Sequence, residues 1–284
     1  MTRVVYVDGR YVPWAEARVH AEDRGYQFAD AVYEVCEVRN GRLVDETRHV
    51  NRLMRSLGEL EITPPMTATS LGIVFRETIR RNRIRNGTVY LQVSRGVAPR
   101  DFLFPGDHVA PTVVCIARPL RPSGLAAKGI AIVTQPEMRW ARCDIKTVML
   151  LPAVFAKESA RSRGAKEAWF VDADGFVTEG ASSNAWIVTA AGDLVTRPAD
   201  TSILRGVTRT TVQDVARVLQ LAVVERPFTV DEAKAAREAF ITSASNIVMP
   251  VVEIDGEKVG EGKPGPVALR LREAFHGIAE IAPR

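Results

Sequence analysis

The chain has 284 residues and a formal net charge of +4; 46% of its residues are hydrophobic and 25% are charged. This is the composition of an ordinary globular protein, and the length suffices for two modest domains or one large one. No apolar run approaches the roughly 20 residues that cross a bilayer, and the N-terminus lacks the apolar core of a signal peptide.

The net positive charge does not by itself indicate nucleic-acid binding. The cationic residues are spread along the chain and form no basic cluster with interleaved aromatic residues. The cysteines, Cys36, Cys115 and Cys143, lie among apolar neighbours without a CxxC pair or a nearby histidine. We therefore expect buried thiols, no metal site and a reducing, cytoplasmic location.

The N-terminal part of the chain predicts antiparallel strands and two helices. Hairpins are predicted at VVYVDGRYV, which turns at Asp-Gly, and at AVYEVCEVRNGRLVD, which turns at Asn-Gly. Apolar residues then recur at helical spacing over about 46–60 and 68–83. Two further strands complete this part, GTVYLQVSRG and TVVCIARP.

The Pro- and Gly-rich segment RPLRPSGLAAKG predicts an interdomain linker. We place a small N-terminal α/β domain over residues 1–118, the linker over 119–129 and a large C-terminal domain over 130–284. The patterns in the C-terminal domain are, in order, GIAIVTQ, a helix over about 151–163, AWFVDADGFVTEG, AWIVTAAGDLVTRP, a helix over about 206–219, EAFITSA, MPVVEIDGEKVG and a helix over about 266–279.

Hairpins outnumber βαβ units in this order of elements. We therefore predict an α+β fold with mostly antiparallel sheets. The chain contains no GxxxxGK[ST] motif, which argues against a P-loop; its single GxGxxG, GEGKPG at residues 260–265, follows a predicted hairpin and not the first strand of a βαβ unit, which argues against a dinucleotide site.

Lys146 is the lysine whose surroundings most need an explanation. The chain has only seven lysines, and this one lies in the apolar stretch MRWARCDIKTVMLLPAV. An amine kept partly away from water can be neutral near pH 7 and form a Schiff base. On spacing alone, two structural roles stay open: a side chain that snorkels from an edge strand, or an ion pair with Asp144 or Glu137.

Four other segments offer polar groups, each with a plain structural alternative. VTEGASSN places Glu179 beside a glycine and hydroxyls, where a cofactor could approach or an ordinary turn could form. ILRGVTRTTV opens a helix at Gly206 and Thr208, whose amides either bind phosphate or are part of a routine N-cap. ITSASN is a second phosphate loop or a plain turn. HVNRL places Arg52 on a helix, as an anion ligand or in a surface salt bridge.

In order and spacing, these segments resemble the fold-type IV pyridoxal phosphate (PLP) enzymes, and within them the D-amino acid aminotransferases. The segments that carry the resemblance extend from about Tyr6 to Asp255: EDRGYQFADAVYEV, HVNRL, SRGVAPR, RCDIKTVMLL, VTEGASSN, ILRGVTR and ITSASN. The resemblance implies two α/β domains with the active site at their interface. It also implies a homodimer, in which the loop around Arg100 belongs to a site completed by the other subunit.

The resemblance implies roles for individual residues. Lys146 would carry PLP as a Schiff base and, once released by substrate, move the proton of the substrate Cα. Glu179 would bond the pyridine nitrogen and keep it protonated. Leu204 would pack against the ring face away from substrate. The other implied cofactor contacts, mostly to the phosphate, are Arg52, Ser183, Gly206, Val207, Thr208, Ser243 and Ala244.

Substrate recognition is implied at Tyr33 and Arg100, which match positions that bind the substrate α-carboxylate in D-amino acid aminotransferases. A hydroxyl together with a guanidinium suits a carboxylate. The chain departs from the family pattern at Phe102, where a histidine is usual, and at Glu37, where a basic residue is usual. Phe102 removes a donor, and Glu37 brings a negative charge if it faces the pocket, so both weaken the predicted carboxylate binding.

We therefore expect ping-pong transamination between a D-amino acid and a 2-oxo acid such as 2-oxoglutarate or pyruvate. The same fold leaves three other activities open: a branched-chain L-amino acid aminotransferase, an (R)-selective amine transaminase, which Phe102 favours, and a 4-amino-4-deoxychorismate lyase. A non-catalytic binding protein on this fold is hard to reconcile with Lys146 and Glu179 together. The expected partners are small amino acids and 2-oxo acids, with neither nucleic acid nor membrane.

Overall fold

A computed structural model of the chain describes residues 3–120 and 123–282. Within these residues the chain forms fifteen strands and eight helices. The strands are β1 (Val4–Val7), β2 (Arg10–Pro13), β3 (Ala31–Arg39), β4 (Arg42–Leu43), β5 (Gly87–Ser94), β6 (Thr112–Pro119), β7 (Ile130–Pro136), β8 (Glu167–Val171), β9 (Val177–Gly180), β10 (Asn184–Val188), β11 (Leu194–Thr196), β12 (Val223–Glu225), β13 (Glu238–Ser243), β14 (Ile247–Ile254) and β15 (Glu257–Lys258). The helices are α1 (Arg24–Phe28), α2 (Glu46–Glu59), α3 (Ala68–Arg81), α4 (Leu125–Lys128), α5 (Leu151–Ser162), α6 (Val207–Val218), α7 (Val230–Lys234) and α8 (Pro266–Ile278). Among the residues described, none of the helices is long and apolar enough to span a membrane.

The described residues form two compact units. The first comprises the described residues of Met1–Arg121, Ile145–Met149 and Glu280–Arg284, and the second those of Pro122–Asp144 and Leu150–Ala279. Ile145–Met149 belongs to the first unit because its backbone pairs with the start of β3. The domain boundaries expected from the sequence pattern assign this segment to the C-terminal part.

The first unit contains a six-stranded sheet in the order β2-β1-β6-β5-β3-β4, and all neighbouring strands are antiparallel. Residues of β3 alternate between two environments, as strand geometry requires. Glu34 and Cys36 are fully buried, whereas Tyr33 and Glu37 are half-buried. Helix α2 packs on β3 and covers its buried face, since Glu34 bonds side chains of that helix.

The second unit contains a nine-stranded sheet in the order β12-β11-β10-β13-β14-β7-β8-β9, with β15 paired to β14. Three pairs, β11–β12, β14–β7 and β7–β8, are parallel and the others are antiparallel. Its core includes Trp186 stacked on Phe240, with ring centroids 5.5 Å apart, and both are fully buried. The predicted α+β class with mostly antiparallel sheets is therefore confirmed.

Four short elements were not predicted: α1, α4, β12 and α7. They contain between three and five residues, too few for apolar periodicity to be recognised. Helix α4 falls inside the expected linker, of which residues 121 and 122 lie outside the described residues. Cys36 and Cys115 are buried as expected, but Cys143 is only half-buried and lies near the Trp140 carbonyl.

Candidate active site

Lys146 lies on a short extended segment that pairs with the first residues of β3. The amide of Tyr33 donates to the Lys146 carbonyl over 3.0 Å, and Thr147 lies opposite Val32. The half-buried Lys146 side chain returns over the same strand, so that Nζ is 4.2 Å from the centroid of the Tyr33 ring. This is a cation–π distance. The fold thus brings the lysine expected to carry the cofactor next to the tyrosine expected to bind substrate.

The two acids considered as structural partners of Lys146 bond arginines. Asp144 accepts a hydrogen bond from Arg142 Nε over 2.9 Å, and Glu137 accepts one from Arg139 Nη2 over 2.7 Å. Neither carboxylate therefore requires Lys146 as its counter-ion, and the lysine's place beside Tyr33 calls for another explanation.

Arg52 lies on α2 and makes a bidentate ion pair with Glu34 of β3. Its Nε and Nη2 donate to the two carboxylate oxygens over 2.6 and 2.8 Å, and His49 Nδ1 is 2.7 Å from Oε2. Burial by itself raises the pKa of Glu34, but the charge and hydrogen bonds of Arg52, together with His49, lower that pKa to about 2. The arginine is therefore held in one orientation in a nearly buried pair, which is not the surface salt bridge considered from the sequence.

Glu179 of β9 is buried and accepts hydrogen bonds from three groups. Arg139 Nη1 and the Leu204 amide donate to Oε1 over 2.5 and 3.1 Å, and Asn184 Nδ2 donates to Oε2 over 2.9 Å. These donors hold the carboxylate in one orientation. They also join the two residues expected to contact the cofactor ring, Glu179 and Leu204.

Arg139 connects Glu179 to a second carboxylate, that of Glu137. Its Nε and Nη2 donate to the two oxygens of Glu137 over 2.9 and 2.7 Å. Burial opposes the charges, but the mutual attraction prevails: the pKa of Arg139 is raised and that of Glu137 is lowered. The two carboxylates, of Glu137 and Glu179, share the single positive charge of Arg139. A protonated ring nitrogen beside Glu179 would therefore neutralise the remaining negative charge.

Asn184 of β10 connects Glu179 to the residues that precede α6. Its Nδ2 donates to the Leu204 carbonyl over 2.8 Å as well as to Glu179. A Cβ atom at Gly206 would lie 2.0 Å from Asn184 Oδ1, so any larger residue at this position must displace the Asn184 amide. In the described part of the chain no side chain caps α6, whose first residues are Val207 and Thr208. Such an uncapped start of a helix suits a phosphate group.

The remaining predicted phosphate residues differ in how they are engaged. The hydroxyls of Ser183 and Ser182 both donate to the buried Glu167 carboxylate, over 3.1 and 2.7 Å. The Ser183 hydroxyl therefore has a protein partner. Ser243 ends β13, and Ala244 begins the turn that leads into β14.

Arg100 and Phe102 lie on the loop between β5 and β6, and both pack against Phe28. The Arg100 guanidinium carbon is 4.6 Å from the centroid of the Phe28 ring, and the rings of Phe28 and Phe102 are 5.6 Å apart. Phe102 is 84% exposed. Arg100 thus contacts an aromatic ring other than that of Tyr33. Glu37 shares the half-buried face of β3 with Tyr33.

Sequence reasoning missed the residues that orient Arg52 and Glu179, which are Glu34 in the first unit and Arg139 and Asn184 in the second. Glu34 could have been recognised, because it occupies an inward position in the alternating pattern of β3, where a carboxylate needs a partner. No comparable signal exists for Arg139, whose partner Glu179 is 40 residues away in sequence.

The chemical groups of these residues are of the types that bind PLP. A half-buried lysine suits the aldehyde, a buried and oriented carboxylate suits the pyridine nitrogen, and a glycine followed by an uncapped helix start suits the phosphate. These groups are the chemistry that the sequence resemblance anticipates.

Comparison with known proteins identifies the family. Residues 31–254 match the amino-transferase class IV family. The chain is 40% identical to a D-alanine aminotransferase of Staphylococcus haemolyticus over 281 residues, which cover 99% of each chain. It is 39% identical to a D-alanine aminotransferase of Bacillus licheniformis over 272 residues, 95% of each chain.

Solved structures agree on the fold. A branched-chain amino acid aminotransferase of Escherichia coli matches with a TM-score of 0.90 at 24% identity, over 98% of this chain and 95% of that one. A branched-chain aminotransferase of Thermoproteus uzoniensis, solved with norvaline, matches with a TM-score of 0.87 at 26% identity, over 99% of each chain. The chain therefore belongs to the class IV aminotransferases, the fold-type IV family of PLP-dependent enzymes.

Proposed function

We propose that this aminotransferase moves an amino group from a D-amino acid to a 2-oxo acid such as 2-oxoglutarate or pyruvate, in two half-reactions that follow one another at the same site. The observation that carries the proposal is the position of Lys146 Nζ, 4.2 Å from the ring of Tyr33. An amine that can transfer a proton, next to a tyrosine whose hydroxyl can bind a carboxylate, is what amino acid chemistry needs. The D-alanine aminotransferases that resemble the chain over nearly its whole length support the choice of substrate.

Lys146 and Glu179 have different catalytic roles in this proposal: Lys146 transfers the proton, and Glu179 binds the ring nitrogen. PLP, when bound, supplies the electron sink that makes the proton on the substrate Cα removable. Lys146 would hold the cofactor through its aldehyde, and its amine would be the base that takes the proton from the substrate Cα and the acid that gives it back. The Glu179 carboxylate, oriented by Arg139 and Asn184, would accept a hydrogen bond from the pyridine nitrogen and favour its protonated form.

The phosphate and the ring are held by groups that do not react. Leu204 would contact the cofactor ring, and its amide donates a hydrogen bond to Glu179. Arg52 brings a positive charge that Glu34 orients. The uncapped start of α6 brings backbone amides and one hydroxyl. The proposed contacts are Arg52, Ser183, Gly206, Val207, Thr208, Ser243 and Ala244.

Tyr33 and Arg100 bind the substrate carboxylate in this proposal. The support for Tyr33 is its place beside Lys146. Phe102 favours a second candidate, an (R)-selective amine transaminase, because an exposed phenyl ring cannot donate a hydrogen bond to a carboxylate and offers apolar contact to an amine. A donor panel of D-alanine, L-leucine and (R)-1-phenylethylamine separates these activities from a branched-chain enzyme.

We also propose that the enzyme is a homodimer. Leu151, Val154 and Phe155 follow one another at helical spacing on α5 and are 65%, 59% and 62% exposed. An apolar row of this kind is unfavourable in water, and a second copy of the chain is the proposed occupant. Sedimentation of the enzyme and of Phe155→Glu tests this: the enzyme is expected to sediment as a dimer and the variant to dissociate, and a monomeric enzyme contradicts it.

Replacing Lys146 tests the proposed activity directly. Lys146→Ala is expected to abolish both transamination of D-alanine with 2-oxoglutarate and the visible absorbance of covalently bound cofactor. Lys263→Ala, at an exposed lysine, is the matched control and is expected to keep both. A Lys146→Ala protein that retains the absorbance and the activity would refute the assignment.

A further inference from the structure

The turn between β13 and β14 contains a strained residue. Ser243 and Ile247 are paired across the two strands, and the amide of Asn246 donates to the Ser243 carbonyl over 3.2 Å. Ile247, the first residue of β14, has a φ of +60°. This left-handed conformation is unfavourable for a β-branched residue and is normally occupied by glycine or asparagine. A neighbouring group must therefore hold Ile247 in it.

Arg272 of α8 supplies this restraint. Its Nη1 donates to the Val248 carbonyl over 2.7 Å and also to the Asn246 carbonyl. These two carbonyl groups belong to the residues on either side of Ile247. A single guanidinium nitrogen thus binds the carbonyl of the peptide group that precedes Ile247 and the carbonyl of Val248, the residue that follows it.

Helix α8 is a firm support for Arg272 because its other end is also tied to β13. The buried Glu238 carboxylate, at the start of β13, accepts hydrogen bonds from the amides of Val267 and Ala268 over 3.0 and 2.9 Å. The helix is therefore attached to β13 near its first turn and to the turn after β13 through Arg272. Motion of Arg272 away from the turn would require α8 to move as well.

We propose that Arg272 is a positioning residue for the cofactor phosphate: by holding Ile247 in its left-handed conformation, it keeps the turn that contains Ser243 and Ala244 in the shape that binds phosphate. The inference rests on the proposed function, in which this turn contacts the phosphate. The charge of Arg272 has the right sign as well, because a guanidinium stays protonated and attracts a phosphate dianion.

The test compares the affinity of the cofactor-free protein for PLP with its affinity for pyridoxal, which has the same aldehyde but lacks the phosphate. Arg272→Met is expected to weaken PLP binding by about tenfold or more, the equivalent of about 1.4 kcal/mol, and pyridoxal binding by less than about twofold. Arg270→Met, an exposed arginine on the same helix, makes the same change of charge and is expected to leave both affinities unchanged. Equal losses for PLP and pyridoxal in Arg272→Met would overturn the inference.

A second background tests whether Arg272 acts through Ile247. Glycine adopts the left-handed conformation without help. In an Ile247→Gly protein, adding Arg272→Met is therefore expected to weaken PLP binding by less than about threefold. The same tenfold loss in both backgrounds would show that Arg272 does not act through the turn. If Arg272→Met does not fold, Arg272→Lys takes its place, with a smaller loss that Ile247→Gly is again expected to cancel.

The unmodified protein distinguishes failure of this inference from failure of the proposed function. It is expected to bind PLP far more tightly than pyridoxal. If it binds both equally, the phosphate site itself is refuted before any variant is made. If it prefers PLP and Arg272→Met has the same preference, the proposed function stands and the role of Arg272 is refuted.

Discussion

The Glu34 carboxylate and the Arg52 guanidinium form a bidentate ion pair, with nitrogen–oxygen distances of 2.6 and 2.8 Å, between the buried face of β3 and helix α2. Glu34 has no solvent exposure, so its charge depends on this partner and on His49. The pair therefore links the stability of the first unit to the orientation of an arginine that we assign to the cofactor phosphate.

Glu34→Gln is expected to lower the free energy of unfolding by about 3 kcal/mol at pH 7, because it leaves Arg52 without its buried counter-ion. The pKa of Glu34 is about 2 in the folded protein against an ordinary value of 4.5. Its stabilisation is therefore complete above about pH 4.5 and is lost as the pH falls from there to about 2. Chemical unfolding at several pH values measures the difference between the two proteins, which should shrink over this range.

The control for this experiment is Glu22→Gln, which changes the same charge at an exposed position in the first unit. It is expected to change stability by less than about 0.5 kcal/mol at any pH. A difference between the enzyme and Glu34→Gln that stays constant down to pH 2 would contradict the buried ion pair as its source.

Arg139→Met is expected to cost about 3 kcal/mol of stability at neutral pH, because it leaves Glu137 and Glu179 without the guanidinium they share. Arg139 lowers the pKa of Glu137, so the stabilisation is complete above the ordinary pKa of that acid, 4.5, and is lost as the pH falls from there through the lowered pKa of the folded protein. Chemical unfolding at several pH values should show the stability difference between the two proteins unchanged from pH 7 to about pH 5 and shrinking below that. Arg161→Met, at an arginine whose side chain is 78% exposed, should cost less than about 0.5 kcal/mol.

The elements that the sequence predicted are those with enough residues to show a period. The alternation in β3 and the apolar spacing of α2 and α3 were sufficient for strands and helices within a few residues of their observed ends. The order of the chemical motifs was sufficient for the family. The apolar neighbours of Lys146 indicated only that this lysine needs an explanation, and it was the motifs elsewhere in the chain that favoured a cofactor lysine over a structural one.

What could not be predicted are the contacts that join distant parts of the chain. The segment around Lys146 pairs with β3 through backbone hydrogen bonds, and no pattern of side chains predicts such a pairing. The dependence of Glu179 on Arg139 has the same cause, since an arginine 40 residues away gives no local signal. These partners come together only in the tertiary structure, so the local sequence around each residue does not indicate which partner it has.

Tyr33→Phe is expected to raise the KM for D-alanine by about tenfold, because it removes a hydrogen bond to a charged carboxylate. The ring that contacts Lys146 is retained, so the visible absorbance of the bound cofactor should be unchanged. Steady-state kinetics with D-alanine and the absorbance of the bound cofactor are measured on the same preparations. An unchanged KM, or a cofactor absorbance that falls together with the activity, would show that the hydroxyl does not bind the carboxylate.

Gly206→Ala is expected to damage the site through Asn184. The new methyl group would lie 2.0 Å from Asn184 Oδ1, and that amide cannot withdraw without losing its hydrogen bonds to Glu179 and to the Leu204 carbonyl. We expect a loss of about 2 kcal/mol in stability and at least a tenfold loss in PLP affinity, measured by thermal unfolding and by titration of the cofactor-free protein.

Gly277→Ala is the matched control for that substitution. Gly277 lies in α8 of the same unit, and a Cβ atom there would meet nothing within 4 Å. Alanine in a helix is favoured over glycine by about 0.5–1 kcal/mol, so this variant should be slightly more stable and bind PLP unchanged. If Gly206→Ala were as stable and bound PLP as tightly as Gly277→Ala, Asn184 would have room to move, and the link from Glu179 through Asn184 to the start of α6 would not be what positions the cofactor groups.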